Sequence, residues 1–291
     1  MLLTRVITAC ILAPIVMWWV IESSNDVFKM MWTVVIVLCA WEWSDLSGLK
    51  SNIARVGFLA AVLITLTPFI LWTDIIANIA QFFDDKEILK YSAILDWFAV
   101  PAVVFWLMVS VKLKNKAKEM LKSRPSVKIK LLVGWFVLVT AWVFFVRMRI
   151  FHGWDTVVYL LLLIWMADIS AYFVGRAYGK TKLSPDISPG KTIAGLYGAI
   201  LSAVVMALIA GVYFNFMDII KADFVLLSVI TVLISVYGDL AISLAKRWRG
   251  VKDSGFIIPG HGGILDRLDS MMAAIPVFYT GLMLIHEGIL R

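Results

Sequence analysis

Two aspartates stand inside stretches that are otherwise apolar. Asp168 is followed by Tyr172, Gly175, Arg176 and Gly179, a spacing that puts all five on one face of a helix. Asp239 belongs to a second such stripe, with Ser235, Ser243, Lys246 and Arg247. An aspartate within a membrane span costs about 2.5–3.5 kcal/mol on insertion scales, so it tends to face a bundle interior and serve a function. The plainer alternative is a structural Asp–Arg or Asp–Lys pair between helices. Between the stripes lies a loop rich in Ser, Pro, Gly and Lys. Its end, Ser188-Pro189-Gly190-Lys191-Thr192, brings a turn, a cation and two hydroxyls just before another apolar run. Such an arrangement at a helix start suits a phosphate. It is not a Walker A loop, because the first glycine and its spacing are missing.

The second stripe runs into the densest polar passage of the chain. From Lys246 to Asp269 it gathers five cations (Lys246, Arg247, Arg249, Lys252, Arg267) and three carboxylates (Asp253, Asp266, Asp269). Gly255, Gly260, Gly262 and Gly263 let backbone approach a ligand without a Cβ in the way. Hard carboxylate oxygens beside ammonium and guanidinium groups describe a site for a polyphosphate with Mg²⁺ better than one for a transition metal. His261 has no second histidine or cysteine nearby to make a zinc site.

These residues must be positioned by membrane helices. Of the 291 residues 62% are hydrophobic and only 16% charged, against about a quarter charged in a soluble domain. Mean hydropathy is +0.90. The pattern predicts an all-α polytopic membrane protein with nine spans, at 3–21, 28–46, 56–73, 92–111, 130–147, 155–175, 193–214, 223–245 and 271–289. It divides into an N-terminal transmembrane region, 1–150, and a C-terminal catalytic region, 151–291, with polar loops 176–192 and 246–270. Arg5 precedes an apolar run with no small-residue cleavage site after it, so that run reads as a permanent span. Cys10 and Cys39 fall in apolar segments and read as packing residues. There is no low-complexity tract and no convincing internal repeat.

Charge orients the array. Alternating spans put 20 of the 27 lysines and arginines on one side, eight of them between Lys112 and Lys130. The opposite side is acidic, with Glu22, Asp26, Asp84, Asp85 and Glu87. The rule that basic loops stay inside predicts a cytoplasmic N-terminus, an external C-terminus, and both polar loops in the cytoplasm. The net charge of +7 is accounted for by loops facing anionic lipid and calls for no nucleic acid.

The stretch SLAKRWRGVKDSGFIIPGHGGILDRLD, Ser243 to Asp269, resembles the signature of the phosphatidate cytidylyltransferases, or CDP-diacylglycerol synthases. The likeness extends to ADISAYFVGRAYGKTKLSPDISPGKT, to Gly238-Asp239-Leu240, and more loosely to Ala40-Trp41-Glu42-Trp43. It is specific in the C-terminal half and general in the N-terminal half. One position departs: members often carry glutamate in GDLxES where this chain has Ile242. The resemblance implies an all-helical bacterial inner-membrane enzyme that joins CTP to phosphatidic acid, giving CDP-diacylglycerol and pyrophosphate, and it implies a dimer. It also implies that Asp239 and Asp266 ligate Mg²⁺, with Asp269 beside them, while Lys191, Thr192 and the cations from Lys246 to Lys252 hold phosphates. Asp239, Lys246, Arg247, Lys252, Asp253, Asp266 and Arg267 are thus the candidate catalytic residues. Asp168, Arg176, Ser188, Lys191, Thr192, His261, Gly262 and Gly263 are the candidates for substrate binding.

Two other functions use similar residues. A transporter would use Asp168 and Asp239 as an ion path, with broken helices near the midplane, whereas the polar groups here gather toward one membrane face. A CTP-dependent lipid kinase would need the same ligands but transfer the γ-phosphoryl group; its product, a lipid phosphate with CDP, tells it apart.

Overall fold

The computed structural model describes residues 2–84, 96–257 and 262–289. Eight helices and one short hairpin follow in order: α1 (Leu2–Glu22), α2 (Asn25–Ser47), α3 (Asn52–Phe82), α4 (Ala99–Ser123), α5 (Val127–Tyr178), β1 (Lys182–Ser184), β2 (Ser188–Thr192), α6 (Ile193–Tyr213), α7 (Asp218–Arg249) and α8 (Leu265–Ile289). The all-α membrane architecture is as the hydropathy predicts. Residues such as Trp18, Ile64, Leu201, Val212 and Leu226 point outward from the bundle, a surface that only a bilayer suits.

Helix ends follow local chemistry. The Ser24 hydroxyl accepts from the Val27 amide at 3.3 Å to start α2, and the Ser126 hydroxyl accepts from the Ile129 amide at 3.4 Å to start α5. Gly250, at φ 78°, closes α7 behind a last turn carrying Lys246, Arg247 and Arg249.

The helix α5 is 52 residues long, more than one crossing needs. Gly153 breaks it, at φ 86° and ψ 173°, a conformation essentially reserved for glycine. Phe144, before the break, stacks on Tyr279, and Tyr159, after it, stacks on Phe278. Both arms therefore lie along the same level of α8, and the chain reverses at this residue. Seven helical stretches among the described residues are long and apolar enough to cross a membrane. A count of nine spans is thus not confirmed. The fifth and sixth spans form this one element, and among the described residues α1 counts as a shorter apolar stretch, Ile11–Glu22.

The core runs through both halves of the chain. Trp106, Trp142, Phe144, Phe145, Phe278 and Tyr279 are all buried in one cluster. At the end of the bundle near Gly153, Arg147 is buried and its guanidinium meets Asp96 at 2.7 Å, while the Tyr279 hydroxyl donates to the same carboxylate at 2.7 Å. The basic loops lie at the other end.

Candidate active site

Four elements converge at the basic end. The Arg247 Nε donates to the Ile187 carbonyl of the hairpin at 3.2 Å, and the Trp248 indole donates to the Met120 carbonyl of α4 at 2.9 Å. The hairpin pairs antiparallel, with Lys182 opposite Thr192 and Ser184 opposite Ser188. Its last residue, Thr192, caps α6 by accepting from the Gly195 amide at 3.0 Å. This ties the residue before it, Lys191, to the start of a helix.

Lys191 reaches α7. Its Nζ lies 2.6 Å from Asp239 Oδ2 and donates to the Val236 carbonyl at 3.1 Å. The other oxygen of Asp239 accepts from the Ser243 hydroxyl at 3.1 Å. Asp168 from α5 and Asp269 from α8 lie within electrostatic range of Asp239 and Lys191, and Lys246 within range of Asp239 and Asp269. Beside Asp239, Gly238 faces the Asp269 carbonyl and the Ala273 methyl so closely that a Cβ there would collide with α8. That missing side chain brings the two aspartate-bearing helices together. The result is a nest of three carboxylates and two ammonium groups, a place where a highly charged anion and a cation would both find partners.

Asp266 is bonded through both of its carboxylate oxygens. Its Oδ1 meets Lys246 Nζ at 2.7 Å, and its Oδ2 accepts from the amides of Ser254 at 2.7 Å and Gly263 at 3.0 Å. Both oxygens are engaged, and the side chain is only 5% exposed. Lys246 thus stands between Asp266 and the Asp239 nest. Asp266 itself folds the loop after α7 back on its own amides, in the manner of a capping box.

The remaining candidates lie around this centre. Ser188 opens β2, partly exposed. Arg176, Lys252, Asp253 and Arg267 are exposed, with Arg176 donating to the Tyr172 hydroxyl at 3.2 Å. Gly262, at φ 83°, and buried Gly263 line the loop next to Asp266. His261 lies outside the described residues. Ile242 is buried in the apolar core. Among the described residues no three Asp, Glu, His or Cys side chains are drawn together tightly enough to hold a metal by themselves.

The model of the cytidylyltransferase family matches residues 3–285. The chain belongs to the cytidylyltransferase family. It is 34% identical to the phosphatidate cytidylyltransferase of Haemophilus influenzae, over 96% of this chain and 97% of that one. The corresponding Pseudomonas aeruginosa protein is 32% identical over 96% of each chain. A phosphatidate cytidylyltransferase of Bacillus subtilis is 44% identical over a shorter stretch, 44% of this chain.

The family match spans the N-terminal half as well, and there two acidic residues outside the predicted site contact its loop and helix end. In this cytidylyltransferase Glu42, from α2, is 2% exposed and accepts from the Ser254 hydroxyl and from the amides of Ile264 and Leu265. Asp45 offers its carbonyl to Arg249 Nε at 3.0 Å. The available signal was the same one that marked Asp168: a carboxylate inside an apolar run.

Proposed function

We propose that this chain transfers the cytidylyl group of CTP to phosphatidic acid, giving CDP-diacylglycerol and pyrophosphate. The observation that carries this is the meeting of Lys191 with Asp239, 2.6 Å apart, at the basic end of a helical bundle that belongs throughout to the cytidylyltransferase family.

The residue types suit the reaction. A phosphate monoester has its second pKa near 6, so the attacking oxygen of phosphatidic acid is already anionic at neutral pH, and no strong base is needed. That oxygen bonds to the α-phosphorus as the bond from α-phosphorus to the bridging oxygen breaks, and pyrophosphate leaves with the bonding electrons. The obstacle is repulsion between two anions. Lys191 and Lys246 lower it with fixed ammonium charge, and the hairpin and α7 hold them in place beforehand. Arg247, Lys252 and Arg267 lie farther out, where they would draw in and seat the triphosphate.

Mg²⁺ fits the carboxylate nest. Its donors are hard oxygens, and the place beside Asp239 already receives a cation, the ammonium of Lys191. Asp239 would hold the ion together with phosphate oxygens of CTP, Asp168 and Asp269 would add negative charge around it, and Asp266 would hold the loop. Bound there, Mg²⁺ would neutralise triphosphate charge and orient its phosphates. We place the site on the cytoplasmic face of a bacterial inner membrane, as the distribution of 20 of the 27 basic residues supports. The lipid tails then stay in the bilayer while the headgroup meets CTP at its boundary.

The test is purified protein with CTP, Mg²⁺ and phosphatidic acid in mixed micelles. CDP-diacylglycerol and pyrophosphate should appear in equal amounts. CDP with a phosphorylated lipid, or no nucleotide turnover, would overturn the reading.

A further inference from the structure

Glu42 lies in the half of the chain farthest in sequence from the reacting groups, yet it touches the loop that bears them. Its Oε1 accepts from the Ile264 amide at 2.9 Å, and its Oε2 accepts from the Leu265 amide at 2.9 Å and from the Ser254 hydroxyl at 2.7 Å. Ile264 and Leu265 open α8, where unpaired amides and the positive end of the helix dipole favour a carboxylate. Ser254 belongs to the same loop, and its amide is held by Asp266. Gly255 and Gly263 both back onto the Glu42 side chain; a Cβ at Gly255 would come within 2.6 Å of Oε1. Two carboxylates thus grip one loop, Asp266 from within it and Glu42 from another helix.

We infer that Glu42 is a positioning residue for cytidylyl transfer: by holding Ser254 on one side and Ile264 and Leu265 on the other, it sets Asp266, and with it Lys246 and Asp269, against Asp239. This rests on the function proposed above. A buried carboxylate with three donors would be a costly way merely to fill space between α2 and α8, since an apolar side chain of similar size needs no such partners. Its role goes through the loop and touches neither CTP nor lipid.

The experiment has two independent readouts on full-length protein in micelles. The first is amide hydrogen exchange with no substrate present. Glu42→Gln puts an NH₂ where an acceptor is required, so exchange in residues 250–268 should speed up while the arms of α5 keep wild-type protection. The second is kinetic. Glu42→Gln should lower kcat by about tenfold or more, and the KM for CTP should change less than kcat. A steric complementation separates positioning from general damage. Gly255→Ala alone should cripple turnover by pushing on the carboxylate, and Glu42→Asp, one methylene shorter, should restore part of the activity in the Gly255→Ala background. Unchanged loop exchange in Glu42→Gln, or strictly additive effects of the two substitutions, would overturn the inference. If wild-type protein made no CDP-lipid at all, the proposed function would fail, while the exchange result would still decide the anchoring.

Discussion

Lys191 and Asp239 form an ion pair across two elements, the second strand of the hairpin and the C-terminal half of a long helix, with 2.6 Å between Nζ and Oδ2. Neither side chain is fully hidden, at 23% and 26% exposure, so the pair is open to an incoming ligand. A lysine that already holds a carboxylate can exchange it for a phosphate when the carboxylate takes up a metal ion. Lys191→Ala should therefore lower CDP-diacylglycerol formation by about a hundredfold, the scale of losing one preorganised charge at a reacting centre. Monodisperse protein with a near-normal melting temperature would show that the loss is chemical.

Asp239 and Asp266 should separate in their metal dependence. Asp239→Asn removes the charge beside which a cation sits, so the Mg²⁺ concentration for half-maximal rate should rise about tenfold or more. Asp266→Asn keeps one acceptor oxygen, so it loses either the bond to Lys246 or those to the two backbone amides, and should destabilise the protein by about 1–3 kcal/mol. Its residual activity should keep the wild-type Mg²⁺ midpoint. Magnesium titration of both variants beside thermal unfolding checks this.

The reversal in α5 depends on Gly153. An alanine there would hold φ near 86° and bring its Cβ to 2.6 Å from Asp155 Oδ1. Gly153→Ala should lower stability by about 1–3 kcal/mol, read from thermal unfolding in micelles. The active site lies at the far end of both arms, so residual activity per folded molecule should stay close to normal.

The buried Arg147–Asp96 pair should be among the costliest to break. Arg147→Met leaves the Asp96 carboxylate with the Tyr279 hydroxyl in place of a guanidinium. Loss of one partner of a buried pair costs about 3–5 kcal/mol. Thermal unfolding of Arg147→Met beside the Arg147→Met, Asp96→Leu double variant checks it, since the second change should recover part of the loss.

Topology can be tested with single thiols. Cys39 is buried, and Cys10→Ala removes the other native thiol. In intact cells a membrane-impermeant maleimide should label Met217→Cys, in the turn before α7, and should label Lys122→Cys, near the end of α4, only after permeabilisation. The reverse pattern would put the active site outside.

Much of the site could be read without coordinates because charge in an apolar span is expensive. Asp168 and Asp239 stood out for that reason, and the structure brings them within range of each other and of Lys191. Glu42 gave the same signal, but its partners lie more than 200 residues away, and two of them are backbone amides that no residue type announces. The engagement of both Asp266 oxygens was hidden likewise, since it depends on how a loop closes on its own N–H groups. The all-helical membrane architecture followed from hydropathy, though not the count of spans. The single-residue reversal did not, because a lone glycine between two apolar runs looks like an ordinary short loop until its φ is known.

The hairpin between α5 and α6 acts as a gauge for the reach of Lys191. Lys191 lies where the pairing shifts register, between the Ser184–Ser188 and Lys182–Thr192 pairs, and its reach to Asp239 depends on both pairs holding. Shortening the Pro185–Ile187 turn by one residue would slip the register and turn the ammonium group away, with every reacting residue still present. In this bundle of long helices, two very short strands therefore set a constraint on chain length.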